Sequence, residues 1–387
     1  MSTEPIVSVL EQPAPETTPD VEAPRVPLPE GWRFPIPRNW LVALGGLGLL
    51  ALIPVFAPNK PFPYFVGAYA LIYAMIGLSV TVVTGYAGLV SLMPYSFAGI
   101  GSMMTAVAMA SWGWPFWLAM PFAAVCTVPV AVLAGAISVR LRGLYLAIAT
   151  LAIASLLGET FFTWQAITNG NEGWTLSRPS LFSSDGMFYV LCFIAALFMV
   201  WMIEGLRTSR LGRSMRAVRD NEREAQALGI NVSKTKLTAF VISGILAGVG
   251  GAFLSLLLQA VGGLGTTVFQ SPSTDAASIA LIVLVVVGGL YRAWGAFFGA
   301  IIFTVQTQIL GGHQFFGAFV GIYSAALLIV LLLFRPGGLL QIWQEQLALI
   351  KKRPAVGIPL VVGGIVLNIA IAWVFVKLGR GVDDRTP

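Results

Sequence analysis

The chain has 387 residues, of which 57% are hydrophobic and only 10% are charged. Soluble domains carry about a quarter charged residues, so this composition excludes an ordinary soluble protein and indicates a membrane protein. The formal net charge of +6 comes from basic residues in short segments between apolar runs, which is typical of cytoplasmic loops, so we expect no nucleic-acid binding. Apolar runs of about 20 residues recur along the chain and predict an all-α fold, a bundle of transmembrane helices.

Residues 1–38 differ in composition from the rest of the chain. They contain nine of the 23 prolines and six acidic residues, so they cannot bury a core, and we predict a disordered cytoplasmic tail. The first apolar run begins at Trp40, too far from the start for a cleaved signal peptide. We expect this run to act as its own insertion signal and to leave the N-terminus in the cytoplasm.

Eleven predicted spans follow the tail. They lie near residues 40–57, 64–84, 86–110, 115–139, 143–164, 187–205, 236–261, 274–290, 294–312, 315–334 and 356–378. With the N-terminus inside, most basic segments fall on the cytoplasmic side, above all residues 207–236, as the positive-inside rule requires. We therefore divide the chain into the tail, a membrane domain over residues 39–340, and a C-terminal part (341–387) with a cytoplasmic linker and an additional span.

Polar residues inside spans are costly in lipid, so they are candidates for a transport pathway. Pro94 interrupts its span between Ser91 and Ser96, and the backbone groups freed by such a break need protein or a water-filled cavity as partners. Glu159 lies roughly 24 Å along its helix, where it can meet a solute ammonium or the outer interface. Gln306 is a further candidate, either for the pathway or for a hydrogen bond between helices.

The segment between Arg207 and Lys236 contains eight basic and three acidic residues, more than membrane orientation alone requires. Leu211, Met215 and Val218 recur at helical spacing in its first half. We predict a helix whose apolar face lies against the bundle, with its arginines on another arc that meets water or headgroups.

A second, shorter helix is predicted directly after the first. Asn221 is a favourable N-cap with Glu224 three residues later, and Gly229 is a typical C-terminal stop, so the pattern delimits a helix over residues 222–228. An isolated helix of about two turns is marginal in water, so something must hold it. From these residues alone, a solvated loop that fixes the topology and a docking surface for a cytoplasmic partner both remain open.

Motifs for catalysis and cofactor binding are missing from the sequence. His313 is the only histidine, which excludes an HExxH zinc site, and Cys126 and Cys192 both lie in apolar runs. The sequence has no GxxxxGK[ST] motif, so it cannot form a P-loop. We expect no catalytic residue, no metal and no cofactor, and any ATP that drives transport must be hydrolysed by another chain.

Five stretches of the sequence form a recognisable set. In chain order they are "TGYAGLVSL" (84–92), "RGLYLAIATLAIASL" (142–156), "GRSMRAVRDNEREAQALGINVSKTKLTAFVISGILAGVGGAFLS" (212–255), "VVVGGLYRAWGAFFGA" (285–300) and "LFRPGGLL" (333–340). Together they resemble the LivM-like permease subunits of branched-chain amino acid ABC importers. The resemblance covers roughly residues 40–340, and its third stretch is the most specific.

The resemblance implies a multi-pass subunit of an importer in the bacterial cytoplasmic (inner) membrane, surrounded by lipid. Its implied partners are a second, LivH-like permease subunit, two cytoplasmic ABC ATPase subunits that bind the ATP, and an extracytoplasmic solute-binding protein. Glu224, Ala225 and Gly229 match the family segment that docks into an ATPase groove. Arg216 and Asn221 in the same segment are further candidates for ATPase coupling.

Two alternatives to branched-chain amino acid import remain. Met93 and Pro94 stand where the family usually has Gly-His or Gly-Gln, so urea, a short amide or an aromatic acid stays open as the solute. A self-contained secondary transporter, driven by an ion gradient, is the alternative from another class. It would favour paired intramembrane acidic residues in an inverted repeat, and we find only Glu159 and no convincing repeat.

Overall fold

The computed structural model of the protein describes residues 61–141, 143–170, 172–179, 182–262 and 273–305. Several sequence predictions lie outside the described residues. These are the tail at 1–38, the spans 40–57, 315–334 and 356–378, the C-terminal part 341–387, and the pathway candidate Gln306.

Helices make up nearly all of the regular structure in the described ranges. They are α1 (Pro61–Val80), α2 (Pro94–Ala106), α3 (Phe116–Cys126), α4 (Val128–Arg140), α5 (Leu144–Glu159), α6 (Gln165–Thr168), α7 (Asp185–Thr208), α8 (Arg210–Asp220), α9 (Glu222–Ala227), α10 (Val232–Leu258), α11 (Ser273–Gly288) and α12 (Ala293–Val305). α1 continues into a π-helical turn, Thr81–Tyr86, and α2 into another, Val107–Ser111. Two short strands, β1 (Trp174–Thr175) and β2 (Ala260–Val261), form an antiparallel pair.

The prediction of a transmembrane helical bundle is confirmed. Four segments of the described ranges are long and apolar enough to cross a membrane: Tyr64–Tyr86, Phe116–Arg140, Asp185–Thr208 and Val232–Leu258. Helices suit this environment because they satisfy their backbone hydrogen bonds internally, without water. The chain is therefore a multi-pass membrane protein.

α10 and α1 form the centre of the bundle. α10 packs against α1, α2, α3 and α4, and α1 also contacts α7 and α12. Helices α3, α4, α5 and α7 each keep one face outside, where large apolar side chains are exposed. Among them are Trp117, Leu118, Leu133, Tyr145, Ile148, Leu156, Ile194, Phe198 and Trp201. This surface is suited to lipid or to another apolar protein surface rather than to water.

The third predicted span, 86–110, is interrupted before Pro94, as the sequence predicts. Residues 87–93 leave the helix after the π-helical turn, and α2 begins only at Pro94, its first helical residue. Proline suits this position because its missing N–H needs no partner there and its φ angle already fits the helix. The Leu92 N–H donates to Thr150 Oγ1 of α5 (3.1 Å). A helix that is far away in the sequence therefore supplies a hydrogen-bond partner for one backbone group freed by the break.

Two other spans differ from their predicted bounds. The span 115–139 is divided at Thr127. Pro129 has no N–H to donate to the carbonyl four residues earlier, and its ring clashes with that carbonyl in a regular helix. The span 143–164 already ends at Glu159. There the Thr160 hydroxyl donates to the Leu156 carbonyl (2.6 Å), a local bond that competes with helix continuation.

The bundle has two ends, which carry different features. At one end, here called the α9 end, Gly135 of α4 lies against Leu237 at the start of α10, beside the charged segment. At the opposite end, the sheet end, the β1–β2 pair joins the loop before α7 to the residues directly after α10. Arg178 also belongs to the sheet end, where it forms an ion pair with Asp185 (2.6 Å).

Glycines determine how closely α10 approaches α2. A Cβ on Gly251 would overlap the Ala98 carbonyl oxygen, and a Cβ on Gly101 would overlap the Gly248 carbonyl oxygen. The two helices therefore touch backbone to backbone, which is how small residues drive helix packing in lipid.

We expect Gly251→Ala to destabilise the bundle by about 1–3 kcal/mol, because the added methyl group forces α2 and α10 apart. The measurement is the thermal unfolding midpoint of the purified protein in detergent. Gly205→Ala in α7 is the matched control, because a Cβ at Gly205 meets nothing within 4 Å. Equal midpoints for the two variants would contradict the close packing of α2 on α10.

Candidate functional site

α8 is the amphipathic helix predicted in the charged segment. Met215 and Val218 are buried, as predicted, but Leu211 is about half exposed. The chain turns at Ser209 between α7 and α8, so that Gly212, rather than Leu211, faces the end of α7. The apolar face of α8 therefore begins one turn later than its sequence pattern predicts.

The arginines of α8 do not share one environment, which differs from the prediction. Arg213 is exposed, although its Nη1 atom donates to the Thr208 carbonyl (2.7 Å), whereas Arg216 is partly buried against the end of α7. Its Nη2 atom donates to the Arg207 carbonyl (3.3 Å) and its Nε atom to the Gly212 carbonyl (3.4 Å). The last carbonyls of α7 lack partners within the helix and attract a cation, so Arg216 stabilises the end of α7.

The start of α9 is capped by the residue that the sequence indicated. Asn221 Oδ1 accepts hydrogen bonds from the N–H groups of Arg223 (3.0 Å) and Glu224 (3.4 Å). Asn221 Nδ2 also donates to Glu224 Oε1 (2.6 Å). Two backbone donors at the N-terminus of this short helix are thereby satisfied, and the Glu224 side chain is held beside the cap.

The end of α9 forms a Schellman motif. The Gly229 N–H donates to the Gln226 carbonyl and the Ile230 N–H to the Ala225 carbonyl, both at 2.9 Å. Gly229 has a φ of 79°, a conformation that glycine adopts without strain. The predicted helix over 222–228 is thus observed as Glu222–Ala227, with Leu228 as its C-cap.

A small apolar cluster holds α9 against its neighbours. It consists of Val218 from α8, Ala225 from α9 and Val232 from α10, with Ala217 and Ile230 packed against it. We call these five residues the small core. Because each of the three helices contributes to it, α9 is packed against both α8 and α10.

A buried ion pair adds a second attachment. Lys236 of α10 is only 1% exposed, and its Nζ lies 2.6 Å from Glu222 Oε1 at the start of α9. A buried ammonium is stable only with a partner, so Glu222 has to stay beside it. Sequence reasoning treated Lys236 only as the end of the charged segment, although its place inside the first turns of an apolar helix was a signal.

The remaining face of α9 is open to solvent. Arg223, Glu224, Gln226 and Ala227 are exposed, and Leu228 is 79% exposed. The coupling candidates therefore have different positions: Glu224 and Gly229 lie on the open face, whereas Ala225 is part of the small core. An exposed leucine beside charged residues provides an apolar contact for a partner, and it was not singled out in the sequence.

Further charges gather where α7 meets the turn between α11 and α12. Glu204 and Arg207 form an ion pair (3.6 Å), and Arg292 lies close to both. Burial, and then the nearby charge of Arg207, lowers the pKa of Arg292, while the Glu204 carboxylate opposes this shift. The α9 end thus concentrates positive charge, as the charge pattern of the loops predicts.

The pathway candidates occupy two places in the described structure. Ser91, Pro94 and Ser96 lie together at the break before α2 and are buried. Ser91 Oγ accepts from the Met93 N–H (3.4 Å), and Ser96 Oγ has no hydrogen-bond partner among the described residues. Glu159, by contrast, is the last residue of α5 and is exposed. Their roles in transport stay predictions.

Comparison with known proteins places these features in a family. Residues 64–335, more than half of the chain, match the family described as "Branched-chain amino acid transport system / permease component". The chain belongs to this permease family. Both α9 and the break before α2 lie inside the matched range, so the family resemblance seen in the sequence is confirmed.

Individual permeases are similar to this chain, the LivM proteins over most of their length. LivM of Salmonella typhimurium, a high-affinity branched-chain amino acid transport system permease protein, is 29% identical over 338 residues, 78% of this chain and 76% of the relative. LivM of Escherichia coli is 28% identical over 314 residues, 73% of this chain and 71% of the relative. The probable permease LivH of Methanocaldococcus jannaschii is 30% identical over 172 residues, 43% and 52% of the two chains. No solved structure matches the chain.

The ion pair between α9 and α10 can be tested in this permease by a double-mutant cycle. We expect Glu222→Ala to cost about 3 kcal/mol of stability, because it leaves the Lys236 ammonium buried without its carboxylate. Lys236→Met added to Glu222→Ala should recover most of the loss, since it removes the buried charge. Thermal unfolding midpoints of the single and double variants in detergent measure the coupling, and additive losses would contradict it.

Proposed function

We propose that this permease is the membrane subunit of an ABC importer and that an ATPase subunit docks on α9. One observation carries the proposal: α9 is a short helix, capped at both ends and attached through Ala225 and Glu222, whose Glu224 and Leu228 stay exposed. A solvated loop that only fixes the topology needs no such attachment. The anchoring therefore favours the docking surface over the solvated loop.

The proposed orientation puts the α9 end in the cytoplasm. The support is the concentration of basic residues between Arg207 and Lys236 at that end, in line with the positive-inside rule. The protein would then lie in a bacterial cytoplasmic (inner) membrane with its N-terminus inside. The sheet end, with β1, β2 and the ion pair of Arg178, faces the extracytoplasmic side.

The mechanism follows from the attachments of α9. When two ATPase subunits close around ATP, they displace α9. The small core and the Glu222–Lys236 pair connect α9 to α10, so α10 moves with it. α10 packs against α1, α2 and α4, so its tilt shifts the helices on both sides of the break before α2. The permease alternates between inward and outward openings and itself needs no catalytic residue, metal or cofactor, because its partners bind the ATP.

Two more partners complete the proposed importer. A second, LivH-like permease subunit would cover part of the exposed apolar surface of α3, α4, α5 and α7, with lipid on the rest. Similarity of this chain to both LivM and LivH permeases supports a pair of related subunits. An extracytoplasmic solute-binding protein would deliver the solute at the sheet end.

The proposed solute is a branched-chain amino acid, because the relatives similar over most of the chain are named for that transport. We expect the complete importer in proteoliposomes to transport leucine, isoleucine or valine only when ATP is present on the side of the membrane where the ATPase subunits lie. Competition with urea, acetamide and phenylalanine tests the alternative solutes. Ion-driven accumulation by the single chain would instead establish the secondary transporter.

Docking is tested by reversing the charge on the open face of α9. We expect Glu224→Arg, or deletion of residues 222–229, to leave the protein inserted in the membrane but to abolish uptake and copurification of the ATPase. Glu172→Arg is the matched control: Glu172 is also exposed but lies near the sheet end, so the ATPase should still copurify. Normal ATPase binding by Glu224→Arg would refute docking at α9.

A further inference from the structure

Three elements that are far apart in the sequence meet at the Arg219 side chain. Arg219 lies in the last turn of α8, and its Nη1 atom donates to the Gly85 carbonyl (2.8 Å) at the end of the π-helical turn after α1. Its guanidinium carbon lies 5.0 Å from the ring centre of Tyr291, in the turn between α11 and α12. Asp220 Oδ1 accepts from its Nε (3.0 Å) and Nη2 (2.9 Å) and so holds the orientation of the guanidinium.

The Gly85 carbonyl needs this contact. The chain leaves the helix after Tyr86, so the last carbonyls of the turn lose the backbone donors that a continuing helix would supply. The Leu89 N–H turns back instead to the Val83 carbonyl (3.0 Å). A cation at a helix C-terminus also interacts favourably with the helix dipole, so Arg219 is a charged cap supplied from 134 residues away.

The backbone around this cap is shaped to admit Arg219. Gly88 has a φ of 69°, and a Cβ on it would overlap Arg219 Cγ. A Cβ on Gly85 would overlap the Leu290 carbonyl oxygen, so the turn before Tyr291 also lies directly against this helix end. Two glycines thus allow both α8 and the α11–α12 turn to reach the same point.

We propose that Arg219 is a positioning residue that passes the movement of α9 to the break before α2, as a second route beside the Glu222–Lys236 pair. This inference rests on the proposed ABC importer function. Val218, the neighbour of Arg219, belongs to the small core, so a displacement of α9 moves α8. Arg219 then pulls on the Gly85 carbonyl, and residues 87–93 follow directly in the chain and lead into α2.

Loss of this link should uncouple ATP hydrolysis from solute transport in the complete importer. We expect Arg219→Gln to keep ATPase copurification and ATP hydrolysis, because α9 is unchanged, but to reduce solute transported per ATP hydrolysed roughly tenfold. Arg219→Lys keeps a charged donor for the Gly85 carbonyl and should restore part of the coupling. Arg210→Gln is the matched control, since Arg210 is an exposed arginine of the same helix.

A second measurement follows the break itself. Val90 lies between Gly88 and α2 and is 40% exposed, so Val90→Cys offers a thiol for labelling in a background with Cys126→Ser. In the native-Arg219 complex we expect the labelling rate to change when a non-hydrolysable ATP analogue is added. With Arg219→Gln the rate should no longer respond to the nucleotide, an effect that a purely structural role of Arg219 does not produce.

The outcomes separate the two proposals. If the native complex shows no ATP-driven uptake, the importer function fails and the link fails with it. If native uptake is ATP-driven but Arg219→Gln keeps the native transport per ATP, or loses uptake and ATPase activity in equal proportion, only the link is overturned. Should Arg219→Gln not assemble, Arg219→Met decides: it also lacks the donor to the Gly85 carbonyl, so native coupling in that variant refutes the link.

Discussion

Backbone amides and carbonyls inside an apolar bundle have no water to bond with, so the protein must supply a partner wherever a helix is interrupted. In this permease the partners come from distant parts of the chain. Thr150 accepts from the Leu92 N–H before α2, and Arg219 donates to the Gly85 carbonyl after α1. The break in the membrane domain is therefore also a point where helices that are far apart in the sequence are joined.

The same constraint applies to charge. Lys236 is buried within the first turns of α10, and its ammonium is stable there because Glu222 of α9 lies beside it. This pair and the small core make a six-residue helix, marginal by itself, a fixed part of the bundle. In the importer proposed above, this attachment lets α9 receive force from a docked ATPase subunit.

The central and outer helices differ in burial and in what they pack against. α1 and α10 are largely buried, and glycines such as Gly251 bring α10 into backbone contact with α2. α5 and α7 expose large apolar side chains, for example Tyr145 and Trp201, that suit lipid or a second membrane subunit.

The sequence by itself determined the helical membrane fold, the family and both caps of α9, because hydropathy, periodicity and the cap residues Asn221 and Gly229 act over one or two turns. Only the tertiary structure decided which groups meet across the chain: Lys236 with Glu222, Arg219 with Gly85, and Gly212 rather than Leu211 against α7. It also decided that the break predicted at Pro94 extends over residues 87–93 and that Thr150 accepts the Leu92 N–H within it. Such pairings depend on how helices cross in space, and local residue patterns carry no information about that.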